Sequence, residues 1–93
     1  MSITIEIPAV LRPYAQGTVV VALEERCETV RDAFALVAQR WPGVTDRVLT
    51  EQGEVREHLN IFVGEENIRF GSGLAERVVD GDTILILTAV SGG

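Results

Sequence analysis

The residues best placed to do chemistry in this chain are the last two, Gly92 and Gly93. They follow an apolar run, T-I-L-I-L, and a short T-A-V-S stretch. Glycine has no Cβ, so its backbone adopts conformations other residues resist and passes close to other atoms. Two in a row form a slender tip that a narrow channel admits, with a bare carboxylate at its end. A partner enzyme can activate such a carboxylate, and a nucleophile can then attack it. Side-chain candidates are few. Cys27 and His58 are the single cysteine and the single histidine. Together they fall short of a four-ligand zinc site, and one cysteine forms no internal disulfide. Cys27 precedes a helix, where the dipole favours thiolate, but it has no histidine within sequence reach and reads as an ordinary small residue. His58 ends a polar loop and reads as solvent-exposed. Gly71 and Gly73 resemble phosphate-loop glycines without the lysine, so turn chemistry explains them better.

Composition limits the rest. Ninety-three residues suit one domain over 1–93, with 88–93 as a flexible tail. The net charge of −6 disfavours nucleic acid, whose phosphates need a basic surface. No basic start with a long apolar run marks a signal peptide, and no apolar run reaches membrane-spanning length. A reducing cytoplasm fits the lone cysteine. All eight basic residues are arginine, so no lysine in the chain can accept an acyl group from another copy.

The elements that must position the terminus follow from periodicity. Ile3, Ile5 and Ile7 alternate with Thr4 and Glu6, which predicts a strand over residues 2–8. Residues 18–24 are β-branched and apolar, a second strand, joined to the first by a loose loop containing Pro13 and Gly17. A helix is predicted over 30–41, with Thr29 as N-cap and Asp32 at the third position. Its stripe is Val30, Ala33, Phe34, Val37 and Trp41. Pro42-Gly43 ends it, and 44–49 reads as a short helical turn. Residues 50–57 read as a loop, 59–63 as a third strand and 67–70 as a fourth. After the Asp80-Gly81-Asp82 turn, 83–87 is the last strand, apolar on both faces. That suits a central strand, or one with a face reserved for a partner. Phe62, Leu85 and Leu87 are candidates for an apolar patch on the sheet face opposite the helix.

Several segments together resemble the MoaD/ThiS family of small sulfur carriers. They are I-P-A-V-L-R-P-Y from Ile7, N-I-F-V-G-E-E-N-I-R-F from Asn60, V-D-G-D-T-I-L-I-L from Val79, and the T-A-V-S-G-G tail. The likeness covers essentially the whole chain. It is greatest to the carriers of thiocarboxylate-dependent cysteine synthesis, although Thr88 stands where the family often has proline. The resemblance implies an α+β, ubiquitin-like β-grasp fold: a mixed sheet of four to five strands with one main helix on one face, the first and last strands adjacent in the middle. It implies a carrier with no catalytic site of its own. An E1-like partner would use ATP to adenylate the Gly93 carboxylate, and a sulfur source would turn it into a thiocarboxylate for a sulfur-accepting biosynthetic enzyme. Ala89, Val90, Ser91 and Gly92 would be presented to the partner. Phe62, Leu85 and Leu87 would form the docking surface. No bound cofactor, metal, nucleic acid or membrane is implied, and the free protein would be a monomer. The alternatives are the small subunit of molybdopterin synthase, or a protein modifier conjugated through Gly93.

Overall fold

Ile3, Ile5 and Ile7 all point inward and are buried, and they set the first strand of the sheet. The computed structural model describes residues 2–88. Strand β1 (Ile3–Glu6) pairs antiparallel with β2 (Val20–Leu23). The connection is not a loose loop. Residues Ala9–Ala15 form a 3-10 helix, capped at Gln16 in the left-handed region with φ 55°. Pro13 sits inside it, and Arg12 Nε donates to the Ile7 carbonyl at 3.0 Å, tying the segment back to β1. Periodicity over two prolines does not reveal a 3-10 helix, which explains the difference.

Helix α1 (Val30–Arg40) begins as expected. The Thr29 hydroxyl accepts from the Asp32 N–H, and the Asp32 carboxylate accepts from the Thr29 N–H, each at 3.2 Å. Val30, Ala33, Phe34 and Val37 are buried against the sheet. Trp41, expected in the same stripe, is only partly buried. It closes α1, and α2 (Pro42–Val48) starts at once, with Pro42 pre-set for the first helical position.

Strand β3 (Leu59–Val63) turns through Gly64, φ 60°, into a two-residue β4 (Glu66–Asn67). The expected fourth strand over 67–70 therefore ends almost where it starts. Residues Ile68–Phe70 form a 3-10 turn, because Ile68 buries itself in the core and the Asn67 side chain accepts from the Arg69 N–H. The Arg69 guanidinium donates to the carbonyls of Arg56, Glu57 and Leu59, which pins the loop before β3.

Strand β5 (Thr83–Thr88) is central in the order β2-β1-β5-β3-β4. It runs parallel to β1 and antiparallel to β3. The Asp80-Gly81-Asp82 turn feeds it. Gly81 has φ 93°, Asp82 Oδ2 accepts from the Val79 N–H, and the Gly81 N–H donates to the Ser2 carbonyl. The result is a five-stranded mixed sheet with the helices on one face, the β-grasp arrangement. Among the described residues no helix is long and apolar enough to cross a membrane.

Candidate functional site

Antiparallel pairing of β3 with β5 sets Phe62 directly opposite Leu85 and Asn60 opposite Leu87. Residues directly opposite share a face. The other face of the same two strands carries Leu59, Ile61, Ile84 and Ile86, all buried. Phe62, Leu85 and Leu87 therefore lie together on the sheet face away from α1. Leu87 is 43% exposed, while Phe62 and Leu85 are half-buried. Register also brings Glu6 beside Leu85 and Val20 beside Glu6, so the open face continues to the sheet edge. Arg12, Leu85 and Leu87 line one shallow hollow on this side, about 190 Å³. On the β4 side, Asn67 Nδ2 donates to Asn60 Oδ1 at 3.0 Å, which gives the patch a polar border.

The terminal residues assigned chemistry, Gly93 with Ala89, Val90, Ser91 and Gly92, lie outside the described residues. Thr88, read from the sequence as the start of the tail, is instead the last residue of β5 and pairs with Leu59. The open face and the root of the tail thus belong to one strand.

Thr88 also borders a groove of about 350 Å³ that sequence reasoning missed. Tyr14 from the first 3-10 helix, Arg47 from α2, and Arg56 and His58 from the loop before β3 meet there. The Arg47 guanidinium lies 3.6 Å from the centre of the Tyr14 ring, and Gly43 leaves room for that ring at the start of α2. These residues come from three separate stretches of chain, and no spacing rule links them.

Cys27 is buried, and its Sγ lies 3.7 Å from the Glu25 carbonyl. Burial pushes its thiol pKa up, and the carboxylates of Asp32 and Glu25 push it further. The thiolate favoured by the position before α1 is thus opposed by the surroundings. His58 is exposed. Gly73 has φ 61° and begins a 3-10 turn (Gly73–Ala75), in keeping with turn chemistry.

The ThiS family matches residues 5–93. Sulfur carrier protein CysO of Mycobacterium tuberculosis is 33% identical over 95 residues, covering all of both chains. Among solved structures, a chain of the Amycolatopsis orientalis BexX/CysO complex superposes with a TM-score of 0.86 at 35% identity, over 98% of this chain and 99% of that one. Small archaeal modifier protein 1 of Methanosarcina acetivorans gives 0.80 at 30% identity, over 99% and 96%. The family match and the full-length likeness to CysO agree with the β-grasp fold, and the chain belongs to the ThiS family.

Proposed function

We propose that this chain is a sulfur carrier whose Gly93 carboxylate is adenylated by an E1-like enzyme and converted to a thiocarboxylate. The observation that carries this reading is the extent of the family match, which runs through to Gly93 and includes the Gly-Gly pair. A carboxylate is a poor electrophile. Its oxygen attacks the α-phosphorus of ATP and pyrophosphate leaves, giving an acyl-adenylate with AMP as a good leaving group. Sulfide attacks the acyl carbon, AMP departs, and the terminus carries sulfur in place of one oxygen. That sulfur is a deprotonated nucleophile at neutral pH. It then passes to an acceptor in a biosynthetic enzyme for cysteine or a related sulfur metabolite.

Division of labour fits the geometry. Five residues follow Thr88. Even fully extended they span roughly 17 Å. A body docked through the open face can therefore deliver its terminus into a partner's active site. The body contributes the docking face, and the enzyme contributes the chemistry.

The test is intact mass after incubation with an E1-like enzyme, ATP and sulfide. The expected result is replacement of one oxygen by sulfur in the full chain and none after removal of Gly93. Conversion of a chain lacking both glycines would defeat the reading. The likeness to the archaeal modifier protein favours a second outcome, an isopeptide from Gly93 to a target lysine. An adduct joining Gly93 to another protein would establish it. Self-linked chains through lysine are excluded, since this sequence has none.

A further inference from the structure

We propose that the groove at the root of the tail docks an acidic segment of the enzyme that receives Gly93. This rests on the carrier reading and adds the chemistry of the partner surface. The protein carries a net charge of −6, yet two arginines, Arg47 and Arg56, line the groove that Thr88 borders. Arg47 stacks on Tyr14 and spends one nitrogen on the Gly43 carbonyl at 3.1 Å. Arg56 donates from one terminal nitrogen to the Asp46 carbonyl at 2.8 Å, and its Nε is buried with no acceptor. Neither forms an ion pair among the described residues, where the one ion pair joins Arg40 to Glu25. Arg47 therefore keeps N–H donors for a carboxylate, and Arg56, with Nε buried and one terminal nitrogen bonded, adds its other terminal nitrogen.

The walls suit a protein ligand. Val10 is 60% exposed and Tyr14 is 42% exposed, so apolar surface flanks the two guanidiniums. Tyrosine and arginine are the residue types that tend to anchor interfaces. Asp46 also borders the groove, and Glu57 lies between Arg56 and His58 in sequence. The incoming carboxylates must therefore seat on the guanidiniums instead of sampling a uniformly positive surface. A nucleotide is disfavoured as occupant. ATP has to meet the Gly93 carboxylate, which lies five residues beyond Thr88 in sequence.

The experiment measures kcat and KM for the carrier in ATP- and sulfide-dependent thiocarboxylation by its E1-like enzyme. Arg47→Glu and the milder Arg47→Gln and Arg56→Gln are compared with Arg26→Glu. Arg26 is exposed, lies outside the groove, and gives the same net charge as Arg47→Glu. Arg47→Glu is expected to raise KM about tenfold with kcat kept, while Arg26→Glu stays within about twofold, since paired charges at an interface govern encounter and hold. Wild-type KM should climb with salt, and that of Arg47→Glu should climb less. Thermal melts of each variant separate lost docking from lost fold. Equal KM for Arg47→Glu and Arg26→Glu would overturn the groove. Absence of any wild-type conversion would overturn the carrier reading instead. The groove is then judged by NMR titration with acetyl-hexaglutamate amide. Shifts centred on the amides of Tyr14, Arg47 and Arg56 support it, and no shifts there reject it.

Discussion

Phe62 and Leu85 stand opposite each other across the β3–β5 ladder, on the face of the sheet that α1 does not cover. Their strand neighbours Ile61 and Ile84 point the other way and are buried. One pair of strands thus divides its apolar side chains between a core and an open face. Phe62→Asp should cost only about 1 kcal/mol of stability, the scale of a lost cross-strand pair. Binding to the E1-like enzyme should weaken at least tenfold, as for an aromatic anchor worth about 1.4 kcal/mol or more. Calorimetric titration beside a denaturant melt reads both. Global unfolding of this variant would assign Phe62 to the core.

Phe34 has the opposite role. It is 1% exposed and packs under α1. Phe34→Ala removes a ring from a packed interior and should cost about 3–5 kcal/mol. A change within error in urea melts would show that this face of α1 does not carry the core.

Asp32 predicts a pH dependence. Its carboxylate accepts from the Glu28 N–H at 3.0 Å and from the Thr29 N–H at 3.2 Å. Those bonds, chiefly that from Glu28, hold its pKa below the usual aspartate value; desolvation opposes them, and the Thr29 hydroxyl and Arg31 add to the lowering. A depressed folded-state pKa means stability present above the unfolded pKa, about 3.9. It is lost as pH falls through the lower folded value. The stability gap between wild type and Asp32→Asn should be constant near neutrality and shrink as urea melts move into acid. A gap unchanged down to full protonation would contradict the capping role.

Cys27 should be chemically quiet. Burial and the neighbouring carboxylates raise its pKa, which lowers the thiolate fraction. Iodoacetamide should label it far more slowly in the native protein than in urea. Cys27→Ala should support thiocarboxylation at the wild-type rate. Loss of conversion with the fold intact would point to a thiol relay.

Much of the fold was legible because burial imposes a period on the chain. Alternating isoleucines marked β1, the stripe through Phe34 and Val37 marked α1, and Thr29 with Asp32 marked its start. The 3-10 helices at Ala9–Ala15 and Ile68–Phe70 were not legible. They are too short to show a period, and side-chain hydrogen bonds from Arg12 and to Asn67 help set them. The same limit applies at Thr88, where pairing with Leu59 extends β5 past its apolar run.

By itself, the sequence determined that β5 has two apolar faces and that a Gly-Gly pair lies beyond it, since both are local properties of consecutive residues. Only the tertiary structure decided what surrounds that strand. The β3–β5 register placed Phe62 against Leu85, and the packing of α2 on the first 3-10 helix stacked Arg47 on Tyr14 beside Thr88. Net charge sums over the whole chain, whereas a Coulombic interaction falls with distance and is screened within roughly 10 Å. An acidic protein can therefore hold a local pair of arginines that its composition conceals, and the folding of separate segments onto one another brought that pair together.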